Sequence, residues 1–452
     1  MSHLNSLIKN FFFFIYLFLF SFQTFGQKKL NLQEAITLGL ERNLTLRQSE
    51  IAKSEDNVDL RQSKFDIFPT LSAGTSSNLN LARTTDPNTN LISAENSYTL
   101  SGQISANVTI FQGFQKMREI KRNMFLIEAD ENNIKKLRNA LKLQIISTFL
   151  EILSYQDQLS AVDEQYELAK QSFENDVKSL IAGKKMQADT SRAKSQILKT
   201  QFDKVNIENQ LSNDIVEIYQ FLDLPEDSNY NFVKPVEDEI IFQSQNVASV
   251  YNIAVGSMPE IKQAENAVNS SKQSLLIAKS AYYPTLTMSG VIASDYLHAT
   301  TPEFTLFPEA PVPFFRQVHS NLYEYLSLNL NIPIFNNFRT KASVTKAKLD
   351  LETENIDLSF AKQNLYKVIN QAKSDLDAAS KNYFLAKQSY QAAQETFFAI
   401  EKRYKAGLSN SLDYNQAQSD MNAAQFTLIK NRYDLVFKSK VINFYSGSDI
   451  NY

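Results

Sequence analysis

The sequence predicts a mainly α fold that also contributes strands to a transmembrane β-barrel. It is built as two tandem repeats, each with a short helical region, two strands and a long helical hairpin. Three observations predict this. The chain matches itself at constant offsets, its proline-free stretches carry an apolar seam at helical spacing, and its remaining stretches alternate apolar with small polar residues. The chain has 452 residues, 43% hydrophobic and 21% charged, so it buries a large core and is not disordered by composition.

The elements follow in order. Lys9 and the unbroken apolar run of residues 11–20, followed by Thr24, Phe25 and Gly26, read as a secretory signal peptide over 1–26. An uncleaved anchor is the other reading, but the run is short of the roughly 20 apolar residues that span a bilayer. No later stretch is long and apolar enough to form a transmembrane helix. Any crossing of a membrane therefore uses strands. The first repeat is placed at 27–225, a linker at 226–246 and the second repeat at 247–452.

Glycine and proline mark the hairpins. Between Phe114 and Leu224 there is no proline and only Gly183; between Ile334 and Ser446 there is no proline and only Gly407. Both stretches are rich in Ala, Leu, Lys, Gln and Glu, which favour helix. Each reads as two helices joined at its glycine, with a first arm of roughly 95 Å at 1.5 Å per residue. In the later arm Leu358, Ala361, Leu365, Val368, Ala372, Leu376 and Ala379 follow at three- or four-residue steps, continuing to Phe397, Ile400 and Tyr404. In the earlier arm Tyr155, Leu159, Val162, Tyr166, Ala169, Phe173 and Leu180 make the same seam. A soluble helical stalk explains either seam alone.

An offset of 224 carries Phe111 and Phe114 onto Phe335 and Phe338, Gly183 onto Gly407, and Asp189 onto Asp413. Upstream the offset is 215, carrying Leu46 onto Ile261 and Pro69-Thr70-Leu71 onto Pro284-Thr285-Leu286. The difference of nine predicts an insertion between Pro69 and Phe111.

Strands are expected at about 71–81, 98–110, 285–297 and 323–335. In residues 98–110, Tyr98, Leu100, Ile104, Val108 and Ile110 alternate with Thr99, Ser101, Gln103, Ser105 and Asn107. The strand lengths suit a bilayer crossing, and the small uncharged face suits a water-filled lumen. An antiparallel sheet packed on a core also alternates in this way. Four strands cannot close a membrane barrel, so several copies must share one. The connection 298–322 holds Pro302, Pro308, Pro311 and Pro313 and reads as an irregular loop. Its Phe304, Phe307, Phe314 and Phe315 either touch the bilayer interface or pack on the neighbouring loop.

Other chemistries are excluded. The absence of Cys removes disulfides, thiolate metal sites, Cys nucleophiles and a lipidated N-terminal Cys. A net charge of −3 excludes a globally basic nucleic-acid binder. There is no phosphate-loop, dinucleotide or zinc-protease motif. His298 and His319 flank the proline-rich loop and read as solvated loop histidines rather than a metal pair. Neither an enzyme nor a cofactor or metal site is expected.

These features together resemble the TolC family of outer-membrane efflux proteins. The resemblance spans the mature chain and rests on AITLGLERNLTL with FPTL, IAVGSMPEI with YPTL, TIFQGF with PIFNNF, and RYKAGLSNSLDYNQAQ at 403–418. It implies a homotrimer with a 12-stranded barrel in the outer membrane and an α-helical tunnel in the periplasm. It also implies a periplasmic adaptor as partner, and through it an inner-membrane pump of the RND, ABC or similar class. A periplasmic coiled-coil adaptor or scaffold is the alternative, although such proteins usually carry one hairpin and Gly-rich modules.

The resemblance further implies that the hairpin tips close the tunnel and receive the adaptor. The matching positions are Ile181, Ala182, Gly183 and Lys184 in the first hairpin and Lys405, Ala406, Gly407 and Leu408 in the second. A tight turn between helices needs such a glycine whether or not a partner docks there. The family's gate implies roles for Asp189, Tyr404 and Asp413. Three inward copies of Asp413 would make a carboxylate ring attractive to cations; equally, an acid in a first helical turn suits the dipole. A second family acid is Gln416 here, and a family base two residues after the second glycine is Ser409.

Overall fold

The computed structural model describes residues 28–85, 92–225, 228–234, 246–299 and 312–448. The expected signal peptide, most of the expected 226–246 linker, and Pro302, Phe304, Phe307, Pro308 and Pro311 lie outside the described residues. The first repeat runs β1 (Lys28–Leu30), α1 (Leu32–Arg42), α2 (Leu44–Phe65), β2 (Thr70–Thr85), β3 (Ile92–Gln112), α3 (Gln115–Ile181) and α4 (Gln187–Leu222). After β4 (Tyr230–Phe232), the second runs α5 (Val247–Ser257), α6 (Pro259–Ser280), β5 (Thr285–Ala299), α7 (Phe314–Ser320), β6 (Tyr323–Asn331), α8 (Arg339–Lys405) and α9 (Ser411–Tyr445). The long arms α3 and α8 each have 67 residues and begin and end at equivalent repeat positions.

The chain divides into two compact units. One comprises residues 1–48, 135–257 and 364–452. Its main core gathers Ile36 of α1, Ile145, Phe149 and Leu153 of α3, Ile218 and Leu222 of α4, and Phe232 of β4. Strands β1 and β4 pair in parallel, and Phe149 meets Phe232 edge-on at 5.5 Å. Tyr219 closes the α4–β4 corner by donating to the Ser228 carbonyl at 2.7 Å. In this unit's part of α8 the buried positions Leu365, Ala372, Leu376, Ala379, Ala386 and Phe397 are those of the predicted seam, with Ile369 added. The small alanines let helices approach closely, which suits a coiled-coil wall better than a bulky globular core.

The other unit, residues 49–134 and 258–363, holds a four-stranded antiparallel sheet in the order β2-β3-β5-β6. Directly opposed residues share a face. Leu71, Ala106, Gly290 and Leu326 therefore line up, as do Ala73, Ile104 and Ile292. The opposite face carries Ser72 against Ser105 and Ser289 against Ser327, with the two Ser72–Ser105 hydroxyls 2.8 Å apart. Leu71, Leu79, Leu326, Leu328 and Leu330 are exposed on the apolar face, as a lipid-facing surface requires. No described helix is long and apolar enough to cross a membrane.

Three expectations are corrected. Strands β2 and β3 run past both ends of the predicted spans, to Thr70–Thr85 and Ile92–Gln112, because backbone pairing continues through segments whose side chains do not alternate apolar with polar. Strand β6 ends at Asn331 rather than at residue 335, because Pro333 has no N–H to donate. The insertion lies in the second repeat rather than between Pro69 and Phe111. The later copy is the longer one, and its extra length falls in the β5–β6 connection that contains α7.

Candidate functional site: the hairpin tips

Both tips are the same Schellman turn. At the first, Gly183 N–H bonds the Leu180 carbonyl at 2.9 Å and Lys184 N–H the Ser179 carbonyl at 2.9 Å. At the second, Gly407 N–H bonds the Tyr404 carbonyl at 3.0 Å and Leu408 N–H the Arg403 carbonyl at 2.8 Å. The glycines sit at φ +70° and +73°, where a side chain is strained, and both face open space. Ile181 (82% exposed) and Leu408 (71%) stand out as apolar side chains with nothing to cover them.

Just behind the turns, the hairpins of the two repeats are tied together within one chain. Asp176 of α3 is buried. Tyr404 of α8 donates to Asp176 Oδ1 at 2.9 Å. Lys185, in the first turn, donates to both Asp176 Oδ1 and Tyr404 Oη and lies 4.4 Å from the Tyr404 ring centre. Burial pulls the Lys185 ammonium down, but the hydrogen bonds it donates to Asp176 and Tyr404, and its electrostatic attraction to them, carry it above its ordinary value. Burial raises the Tyr404 hydroxyl, with Lys185 opposing and Asp176 adding to the rise. Tyr414 of α9 stacks on Tyr404 at 4.7 Å and 15° and packs against Phe397 at 5.6 Å. Its burial, with Glu401 nearby, pushes its hydroxyl up to about 12, so the stack stays neutral at physiological pH.

A second tie joins the starts of the descending helices. Ser411 Oγ of α9 bonds Asp189 Oδ1 of α4, and Asp189 Oδ2 accepts from Met186 N–H at 3.2 Å. These bonds, Ser411 first, hold the Asp189 carboxyl below the usual carboxylate range. Asp413 differs from its repeat counterpart. Its N–H caps on the Asn410 side chain at 2.8 Å, its carboxylate receives Ser409 Oγ at 3.2 Å, and the residue is exposed. Gln416 donates to Asp420 at 2.8 Å and is not part of either tie.

Of the sequence candidates, Tyr404 and Asp189 each join a cross-hairpin tie, whereas Asp413 and the turn residues stay open to solvent. Asp176, Lys185, Ser411 and Tyr414 complete these contacts and are not among the sequence candidates. The signal for Asp176 was a gap: the earlier seam steps from Phe173 to Leu180, and the skipped step is an acid. The signal for Lys185 was the repeat itself, which places it opposite Ser409.

A family model described as outer membrane efflux protein matches residues 35–223 and 250–447. The probable efflux pump outer membrane protein TtgC of Pseudomonas putida is 22% identical over 89% of this chain and 79% of its own length. The outer membrane efflux protein BepC of Brucella suis is 24% identical, but that match spans 43% of this chain and 40% of BepC. The CmeC outer membrane channel of Campylobacter jejuni superposes with a TM-score of 0.78 at 14% identity, over 92% of this chain and 85% of that one. The open-state MtrE outer membrane channel of Neisseria gonorrhoeae gives 0.69 at 16% identity, over 93% and 89%. The family's members are channels rather than enzymes. With a family match covering both repeats and their hairpins, the chain belongs to the outer membrane efflux protein family and resides in the outer membrane as the channel component of an efflux or export system.

Proposed function

We propose that the chain works as a homotrimeric, passive conduit that is closed at its hairpin tips and opened when a periplasmic adaptor docks there. A four-stranded sheet whose outer strands, β2 and β6, have no further strand beside them among the described residues supports sharing one barrel among copies. Three copies make the 12-stranded barrel, and their hairpins make the periplasmic tunnel. The adaptor connects the tips to an inner-membrane pump, which supplies the energy.

The observation that carries this reading is the cross-hairpin tie of Asp176, Lys185 and Tyr404 directly behind two exposed turns. Ile181, Ala182, Gly183 and Lys184, with Lys405, Ala406, Gly407 and Leu408, form the docking surface. Asp189, Tyr404 and Asp413 belong to the gate, with Asp176 and Lys185 as its lock. An adaptor hairpin that covers Ile181 and Leu408 gains apolar burial at the place where it must lever the lock apart.

The chain has no Cys, so Leu408→Cys carries a single photo-crosslinker. In cells producing the adaptor, it should crosslink a periplasmic protein. In planar bilayers, the purified channel should show a low conductance that rises when Asp176 is removed. A fully open wild-type channel, or a Leu408 adduct with no partner, overturns the reading.

A further inference from the structure

Helix α7 packs on the apolar face of the sheet, near its far end from α2, α3, α6 and α8. Ser294, on that face, donates to the Val318 carbonyl at 2.7 Å, and Phe314 meets Tyr296 edge-on at 5.0 Å. Beyond Ala293, β5 has no β6 residue opposite it, and α7 takes over that edge. Asn321 donates to the Asp295 carbonyl at 2.7 Å, and Gln317 Oε1 accepts Leu297 N–H at 3.1 Å. The helix does not fill the surface beneath it. It leaves a groove of about 450 Å³ lined by Ala73, Leu100, Ile104, Ile292, Phe314 and Val318.

Two facts place this groove in the membrane. The strands are entered past exposed Phe65, Phe68, Tyr282, Tyr283, Phe335 and Phe338, an aromatic belt of the kind that marks a bilayer interface. At about 3.4 Å per residue and a tilt near 40°, the run from Thr285 to Ser294 climbs roughly 23 Å, close to the height of a barrel's apolar band. Tyr296, Phe314 and Phe315 thus sit at the opposite interface. Phe314, Gln317 and Val318 turn towards the sheet, while Phe315 (83% exposed), Arg316 and His319 turn away from it. An aromatic ring beside a guanidinium is what a boundary between acyl chains and anionic headgroups favours.

We propose that α7 is an interfacial helix on the outer surface of the barrel, and that its groove takes an acyl chain of a membrane lipid whose phosphate faces Arg316. The groove is continuous with the lipid-facing side of β3 and β5, so a chain enters it without leaving hydrocarbon. The proposal rests on the outer-membrane location and is independent of how the tips open.

The chain lacks Trp, so single Trp reporters are unambiguous. Phe315→Trp and Ile292→Trp are reconstituted in phosphatidylethanolamine–phosphatidylglycerol vesicles whose lipids are brominated either near the headgroup or along the acyl chain. Ser101→Trp, on the polar face, is the control. Phe315→Trp should lose most of its emission to headgroup-proximal bromine, and Ile292→Trp to chain bromine, while Ser101→Trp keeps its emission with both. An unquenched Phe315→Trp overturns the interfacial position. An unquenched Ile292→Trp means that protein fills the groove, either residues 300–311 or a second copy, and overturns the lipid assignment. The two reporters lie on different elements, so misfolding of one variant leaves the other to decide.

Discussion

At Gly183 and at Gly407 the backbone makes the same turn, with the same two hydrogen bonds and φ values 3° apart. The side chains behind the two turns are unlike. The first hairpin supplies a buried acid, Asp176, and a base, Lys185; the repeat equivalents in the second are Ile400 and Ser409. The second supplies Tyr404 and Tyr414, opposite Leu180 and Thr190 in the first. Repetition thus built two identical turns, and divergence made their surroundings complementary. Charge on one side meets a hydroxyl and a ring stack on the other. A tie between copies of a repeat needs this asymmetry, because two acids or two bases at matched positions would repel.

The comparison breaks hardest at Asp176. Its side chain is 3% exposed and that of Lys185 is 23% exposed, so Asp176→Ala strands a partly buried ammonium and removes the acceptor of Tyr404. Breaking a buried pair by deleting one partner costs roughly 3 kcal/mol. The expected outcome is parted tips, read as a large rise in single-channel conductance. Tyr404→Phe deletes two hydrogen bonds, the one donated to Asp176 and the one accepted from Lys185, but leaves Lys185 paired with Asp176 and the ring stacked on Tyr414, so it should cost less, about 2 kcal/mol. Equal conductance changes in the two variants would show that the acid is not the centre of the lock.

The turns themselves give the next largest effect. An added Cβ at Gly183 or Gly407 meets no atom within 4 Å, so the cost of a side chain is backbone strain alone. Gly183→Val and Gly407→Val should each lose about 1–2 kcal/mol, and by the same amount. Proteolysis at the tips measures this. A marked inequality would show that one turn is held by something other than its φ.

The sequence showed the frame of this site more clearly than its contacts. Helix arms, turn glycines and the alternating strands follow from propensity and spacing, which are local, and from the repeat offset, which is read by direct alignment of the two halves. The tie is not local. Asp176 and Tyr404 are brought together from opposite halves of the chain, and the gap in the earlier seam that marks Asp176 does not say which residue meets it. Asp413 illustrates the reverse. As the repeat counterpart of Asp189 it reads as equivalent, yet Asn410 caps its helix where Met186 cannot, so Asp413 is spared the structural role that Asp189 takes. Strand ends were also obscured, because the segments that extend β2 and β3, such as residues 82–85 and 92–97, do not keep the apolar–polar alternation.

Acid and base should separate the two ties with the smallest effects. Asp189 is depressed in the folded state, so its contribution is present above its unfolded value, near pH 4, and is lost as pH falls through the folded one. Lys185 is raised, so its contribution is complete below about pH 10 and is lost only as pH rises through the folded value. Neither group changes charge between these limits, and Tyr414, at about 12, stays protonated there. Tip conductance should therefore be flat across the neutral range and rise at both ends. Asp189→Ala should remove the Ser411 tie and the Met186 contact at a cost of about 1 kcal/mol. It should leave the alkaline rise intact while the acid rise shrinks. Asp413→Ala, which leaves the Asn410 cap in place, should keep both rises and change only cation preference. If the two aspartate variants instead gave the same pH profile, the repeat symmetry would extend from the turns to their chemistry, and the assignment of a structural acid to one tip and an open acid to the other would fail.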